Sequence, residues 1–369
     1  MPELPERSNM KRREISEIKK QFTLAGCTIT RIAGCIVNGE GERVCNINDN
    51  FLTIPEGMMF KYFDIFQKGL SGRKGKNLYS LEFKEGSGVR ASLRSVRDNK
   101  LKERTEYEAM FDNIIAWCTL KGYYAIFTIH AAYDIPGRTT DGKEMEDASD
   151  EVYEYIMTAI CPITLQKPGL GWSMDENTVK EADRSWIIGM PQSAYLYPAF
   201  TDRKTDYDHV WFYTKKANEP EQNLIEVVLE CKMPVTPIQQ KEEFHAAVKG
   251  GTTCTYEMRK AKELFRELRT LAENQKDSEE PVTAGEIIKI AQKYGIETGE
   301  AVKEEMDISL QNVINLNTFE VGVTDAHVTV SADRTDLIDI REIEGKKYIV
   351  IYAEGDVYAN GIQIGGNEP

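Results

Sequence analysis

Four side chains that could bind a metal ion lie within one short segment of the chain. Asp202, Asp206, Asp208 and His209 fall between two segments that predict strands. Carboxylate oxygens and imidazole nitrogens are ligands of Mg²⁺, Mn²⁺ and Zn²⁺, and a bound metal can activate water for hydrolysis. The same residues are also typical of a solvated turn in which aspartates cap backbone amides. The sequence leaves both interpretations open: a divalent-metal site of a hydrolase, and a capped turn.

A basic stretch from residue 61 to residue 104 could bind an anion or a nucleic acid. It contains 12 Lys or Arg and 5 Asp or Glu, a net +7. Arg90, Arg94, Arg97 and Arg104 fall along one side of a predicted helix, and a Gly-containing loop adds three cations. The candidate contacts are Arg73, Lys74, Lys76, Arg90, Arg94, Arg97 and Arg104. The alternative is a solvated face that pairs with the acidic remainder of the chain.

His130 ends the strongest strand pattern and precedes an acidic loop that reaches Glu151. A histidine near carboxylates could act as a base or a metal ligand. A partly buried histidine at a strand end, followed by solvated acids, is the alternative. The sequence does not decide between these two roles.

Composition limits the classes of function. The net charge of −14 disfavours nucleic acids and anionic membranes as partners of the average surface. The seven cysteines form no C-x-x-C pair and suggest free thiols in a reducing compartment. With neither a signal peptide nor a bilayer-spanning stretch in the pattern, we expect a cytoplasmic protein with no membrane partner.

The order of predicted elements indicates an α+β protein. Residues 1–10 are predicted as a flexible tail and residues 11–218 as an α+β domain with a mixed or antiparallel sheet. Periodicity of 3.6 residues predicts a helical section over 219–316, including a helix at 219–231. Alternating strands joined by Glu344-Gly345-Lys346 predict a small β domain over 317–369.

Several longer runs resemble a known family. They are EISEIKKQFT, LSGRKGKNLYSLEF, AYDIPGRTTDG with DASDEVYEYI, LYPAF with DR-TD, and the late DRTDLI. Together they are similar to an uncharacterised domain-of-unknown-function family from Gram-positive, mostly anaerobic bacteria, and the similarity extends over nearly the whole chain from Met10. The resemblance implies a cytoplasmic protein and brings no catalytic residues with it.

These observations favour a cytosolic binding or regulatory protein without catalysis. A protein partner is expected, and a nucleic acid partner could bind through residues 61–104. The alternative is a metal-dependent hydrolase that uses Asp202, Asp206, Asp208 and His209, with a divalent metal as cofactor. Convergence of those side chains in one concave pocket would favour the enzyme.

Overall fold

The chain forms two compact units. The computed structural model describes residues 11–138, 144–145, 151–167, 169–175, 177–181, 184–249, 258–278, 282–295, 303, 305–323, 325–353, 355–359 and 362–364. Contacts between Cα atoms divide the chain into residues 1–236 and residues 237–369. The predicted boundaries at residues 218 and 316 stay predictions, and the predicted tail over residues 1–10 lies outside the described residues.

The first unit alternates helices and strands. Its helices are α1 (Arg12–Lys19), α2 (Glu56–Gly69), α3 (Gly88–Asp98) and α4 (Arg104–Trp117), with a 3-10 turn at Phe51–Thr53 and a π-helical segment at Leu224–Val228. Its strands are β1 (Ile29–Val37), β2 (Arg43–Asn50), β3 (Leu78–Glu82), β4 (Tyr124–Asp134), β5 (Gly137–Arg138), β6 (Glu144–Met145), β7 (Val152–Leu165), β8 (Leu170–Ser173), β9 (Thr178–Glu181), β10 (Trp186–Ile188), β11 (Ser193–Tyr197), β12 (Ala199–Thr201), β13 (Lys204–Asp206) and β14 (His209–Thr214).

An eight-stranded sheet organises this unit. Seven strands follow the order β2-β1-β4-β7-β11-β14-β3, and β10 pairs with β7. All of these pairings are antiparallel. The large antiparallel sheet with its helices confirms the α+β prediction.

Helices cover both faces of the sheet. Residues of α1 and α2 pack on one face, and residues of α3, α4 and the π-helical segment pack on the other. Because helices cover β4 on both faces, β4 is buried at every position from Tyr124 to Ala131, which explains its unbroken apolar pattern. A Cβ at Gly34 would lie 2.5 Å from the carbonyl oxygen of Ile126, so glycine permits the close approach of β1 to β4.

One helix prediction for this unit is confirmed and another is revised. The sequence from Ser87 to Trp117 predicts a helical stretch broken near Asn99, and the structure has this break between α3 and α4. The helix predicted for 219–231 is short and ends in the π-helical segment, because Glu230 adopts a positive φ of 50°. This reversal brings Cys231 into an antiparallel bridge with Phe83.

The second unit combines helices with isolated strand pairs. Its helices are α5 (Pro237–Lys249), α6 (Met258–Ser278), α7 (Ala284–Lys293) and α8 (Leu310–Val313), with a 3-10 segment at Ala332–Leu337. Its strands are β15 (Val282–Thr283), β16 (Asp307–Ile308), β17 (Thr318–Val323), β18 (Ala326–Ser331), β19 (Ile338–Ile343), β20 (Lys346–Ile351), β21 (Val357–Ala359) and β22 (Ile362–Ile364).

The helices of the second unit share a small core. Phe244, Leu268 and Ile287 contribute to it from α5, α6 and α7. The predicted hairpin is present: β19 and β20 are joined by Glu344 and Gly345, both with positive φ. This conformation matches the right-handed twist of the two strands. In the part of the chain that is described, no helix has the length and hydropathy needed to cross a bilayer.

Candidate functional site

The strand register places the predicted site residues at two different ends of the sheet. His130 lies opposite Ile156 on β7, and Ile156 lies opposite Tyr197 on β11. At this end, which we call the His130 end, His209 of β14 lies opposite Glu82 of β3.

The opposite end of the sheet is marked by Leu78, and we call it the Leu78 end. Leu78 is paired there with Tyr213. Four residues along β3 span about 13 Å at the usual rise of a strand, so side chains at the two ends belong to different regions of the surface.

A tight turn at the His130 end contains the first metal candidate. Asp202 and Arg203 join β12 to β13 as a two-residue loop, and both have positive φ. The Arg203 guanidinium contacts the Glu17 carboxylate at 3.0 Å and donates to the Pro136 carbonyl oxygen at 2.8 Å. Asp202 forms an ion pair with Lys11. These contacts hold the turn against the start of α1.

The other three candidates lie close together in the chain, but their side chains do not converge on one point. Asp206 accepts a hydrogen bond from the Asp208 amide at 3.1 Å and lies 3.0 Å from Nδ1 of His209. Asp208 instead forms an ion pair with Arg90 of α3. Among the described residues, which include all four candidates, no group of three or more His, Cys, Asp or Glu could hold a metal. The structure therefore gives the metal hypothesis no ligand set, and Asp206 instead caps a second turn, which joins β13 to β14.

The arginines of α3 lie against this second turn. Arg94 and Arg97 have their guanidinium carbons 5.1 and 4.9 Å from the centre of the Tyr207 ring. Arg97 donates from Nε to Asp98 at 2.8 Å. The two candidate sets that the sequence treated separately are thus joined through Arg90, Tyr207 and Asp208.

The predicted row of basic side chains is not continuous. Arg97 is 6% exposed, because it lies one turn after Leu93 on the buried side of α3. Arg104 belongs to α4, where it pairs with Glu108 at 2.8 Å. Arg73, Lys74 and Lys76 precede β3 and so lie at the Leu78 end, whereas Arg90 contacts the His130 end.

His130 is fully buried beneath α3. Its Nδ1 lies 2.7 Å from the Thr30 hydroxyl, and its Nε2 is 3.8 Å from the Glu154 carboxylate, which pairs with Lys100 at 2.9 Å. Nε2 has no hydrogen-bond partner among the described residues. The pKa of His130 is lowered to about 4, mainly because the ring is buried; the Glu154 carboxylate opposes this shift, and Lys100 and Arg97 add to it. The acids at 141, 146, 147 and 150 lie outside the described residues.

A cavity of about 440 Å³ lies between α3, α4 and the π-helical segment. Its walls are mainly apolar, and Tyr195 of β11 also lines it. The apolar lining residues are Val89, Leu93, Val96, Ala109, Met110, Val228 and Leu229. Ser92, Thr105 and Ala109 are exposed, so the cavity opens to solvent on their side. A volume of this size suits a small ligand, since packed interiors contain few voids larger than a water molecule.

Polar groups at the cavity are few and already ordered. The Glu106 carboxylate accepts hydrogen bonds from the Ser95 hydroxyl and the Asn99 side-chain amide, each at 2.9 Å. Ser92, Thr105 and Asn113 add uncharged polar groups. No Lys, Arg or His belongs to the described lining, so its only formal charge is negative.

A family model described as Domain of unknown function (DUF4317) matches residues 10–362. The chain belongs to this family. The match confirms the resemblance to an uncharacterised family and assigns no activity. No curated protein matches the chain.

Sequence reasoning did not find the cavity of this DUF4317 member. The helical spacing of Val89, Leu93 and Val96 predicts a buried face of α3, which the structure confirms, but this spacing does not indicate a space beside that face. The missing information was the reversal at Glu230, which positions Val228 and Leu229 as a wall. A π-helical turn is rare and frequently occurs at functional sites, yet periodicity in the sequence does not distinguish it from an α-helix.

Proposed function

We propose that this protein is a cytosolic binding or regulatory protein that holds a small ligand in the cavity between α3 and α4. The observation that carries the proposal is the apolar volume of about 440 Å³ beside a π-helical wall. Binding sites for small molecules are mostly concave and apolar, with a few polar groups that fix the orientation of the ligand. The proposed role is binding without catalysis.

The lining indicates the chemistry of the ligand. Apolar side chains from three elements would contact an aliphatic or aromatic body. The Glu106 carboxylate at the rim disfavours an anionic ligand, because no cation in the described lining would compensate its charge. We therefore assign the cavity to an uncharged or cationic small molecule, and Ser95 and Asn113 supply hydrogen-bonding groups for it.

Filling the cavity tests this proposal. N-phenyl-1-naphthylamine is an uncharged apolar fluorophore, and its titration with the purified full chain reports binding as an increase in emission. Ala109→Trp places a large ring at the opening and is expected to raise the Kd of the probe by about tenfold or more. Circular dichroism checks that the variant is folded.

Ala116→Trp is the matched control. Ala116 is exposed on the same helix and does not line the cavity. This variant should bind the probe as the wild type does. Equal Kd values for wild type and Ala109→Trp would overturn the proposal, and so would the absence of binding to the wild type.

A nucleic acid partner at the α3 surface is the second candidate. Arg90, Arg94 and Arg104 are each at least half exposed, and their guanidinium groups could exchange acidic partners for phosphates. Each of them has a carboxylate partner in the structure, so the free positive charge at this surface is small. Because these arginines are already paired, nucleic acid binding is a weaker candidate function than ligand binding in the cavity.

Fluorescence anisotropy with RNA and DNA oligonucleotides at two salt concentrations tests the second candidate. The expected result is an affinity that falls with salt and is lost in Arg94→Glu. Arg259→Glu on α6 is the control, because Arg259 is 80% exposed and lies in the other unit. Binding that is absent, or equal in both variants, would exclude the α3 surface.

A further inference from the structure

A group of large apolar side chains is exposed on the segment from residue 165 to residue 190. On β10, Trp186 is 55% exposed and Ile187 is 50% exposed. The Trp186 ring lies 4.8 Å from the ring of Tyr123, which precedes β4. We define the apolar surface as β10 with its neighbours, namely Tyr123, Leu165, Trp186, Ile187, Ile188 and Met190; the segment also exposes Leu170, Trp172, Met174 and Val179.

From this surface we infer that a second copy of the chain docks on β10 and forms a two-fold symmetric dimer. The inference goes beyond the proposed ligand site, since none of these residues lines the cavity. It concerns the kind of partner, which the cavity does not specify.

The edge of β10 provides the first argument. β10 pairs with β7 through Trp186, Ile187 and Ile188 opposite Leu165, Thr164 and Ile163. Within the described chain, no other strand pairs with β10, so its second edge presents backbone amides and carbonyls. An exposed apolar edge strand is a template for pairing with another strand.

The symmetry of such a pairing favours an identical partner. If two copies of β10 pair antiparallel about Ile187, Trp186 of one copy lies opposite Ile188 of the other. Each copy then supplies Trp186 to one apolar cross-strand pair and Ile188 to the other. The same patch of both copies forms the interface, as in any isologous dimer. The pairing would continue the sheet across the two copies.

The exposed area provides the second argument. The ten side chains together expose about 1,000 Å² of mainly apolar surface, about half of it from β10 and its neighbours Tyr123, Leu165 and Met190. Soluble monomers rarely expose a contiguous apolar patch above a few hundred Å², and the β10 group alone reaches about 500 Å². Pairing of two such groups would bury about 1,000 Å² in total, which is about the lower limit for a specific interface.

The mass of the full chain in solution tests this inference. Size-exclusion chromatography with light scattering at micromolar concentration should give twice the monomer mass of 41.9 kDa for the wild type. Ile187→Glu places a carboxylate at the centre of the pairing and is expected to give the monomer mass. Tryptophan fluorescence checks the fold of the variant.

Ile362→Glu on β22 is the matched control. Ile362 is an isoleucine on another exposed strand, 72% exposed, in the second unit. This variant should remain dimeric. A monomeric wild type would overturn the inference, and so would a dimer that Ile362→Glu dissociates or that Ile187→Glu leaves intact.

A cysteine at the symmetry centre gives a positive readout that does not depend on losing the dimer. Ile187→Cys should form a disulfide-linked dimer under mild oxidation, because residue 187 of one copy faces residue 187 of the other. The wild type carries an exposed Cys45 and measures the background. Crosslinking no greater than this background would overturn the antiparallel arrangement. These experiments do not involve the cavity, so their failure is distinct from failure of the proposed ligand binding.

Discussion

Two polar regions of the large sheet differ in burial. Under α3, His130, Thr128 and Thr158 have no exposed surface. At the two turns on either side of β13, the side chains of Asp202 and Asp208 are 65% and 72% exposed. Both regions contain hydrogen bonds and ion pairs, so a list of contacts would describe them as alike.

The two regions differ in the free-energy cost of removing one partner of a hydrogen bond or an ion pair. A buried polar atom that loses its partner cannot turn to water, so its desolvation penalty remains. An exposed carboxylate exchanges its partner for water at little loss, and salt screens its ion pairs. We therefore expect substitutions in the buried region to lower the free energy of unfolding of the first unit strongly, and substitutions in the exposed turns to change it little.

The largest expected effect is the pH dependence that His130 produces. Its pKa is about 4 in the folded protein and 6.5 ordinarily. Between these values the unfolded chain binds a proton that the folded chain does not bind. The free energy of unfolding should therefore be highest above pH 6.5 and fall by about 3 kcal/mol as the pH drops to 4.

His130→Gln should remove this decrease. Urea unfolding followed by tryptophan fluorescence measures it, because all four tryptophans lie in the first unit. His327→Gln is the control, since His327 is 62% exposed in the second unit and its loss should leave the decrease unchanged. If the unfolding free energies of wild type and His130→Gln depend on pH in the same way, His130 is not the cause of the decrease.

A smaller effect is expected from the threonine pair on β4 and β7. The hydroxyls of Thr128 and Thr158 lie 2.9 Å apart and are buried. Thr128→Val alone leaves the Thr158 hydroxyl without this partner and should lower the free energy of unfolding by about 1 to 2 kcal/mol. Replacing both by Val removes both polar groups, so the double variant should lose less than the sum of the two single variants. Additive losses in urea unfolding would show that the pair is not coupled.

The sequence predicted the elements of the buried region better than their chemistry. The unbroken apolar pattern ending at His130 identified β4, because burial of both faces leaves that pattern in the sequence. The partner of His130 was not predictable, since Thr30 and Glu154 are brought to it by strand pairing across 100 and 24 positions. The turn was the opposite case: Asp206 caps an amide two residues away, and local contacts of this kind follow from residue type.

The basic stretch shows the limit of helical periodicity. Spacing placed Arg97 beside Arg90 and Arg94, but it did not show that Tyr207 covers Arg97. Tyr207 reaches α3 because the β12–β13 hairpin returns the chain to β14, a contact separated by more than 100 positions. Long-range contacts of this kind also create the cavity wall at Val228, which explains why the candidate site was not visible in the sequence.

The smallest effect is expected from the ion pair between Arg90 and Asp208. The two side chains are 50% and 72% exposed, so both remain hydrated when the pair breaks. Asp208→Asn should change the free energy of unfolding by less than about 0.5 kcal/mol, and the small difference should vanish at high salt. Urea unfolding at low and high ionic strength measures it. A salt-independent loss above about 1 kcal/mol would show that the turn belongs energetically to the region under α3, and burial would then no longer separate the two regions.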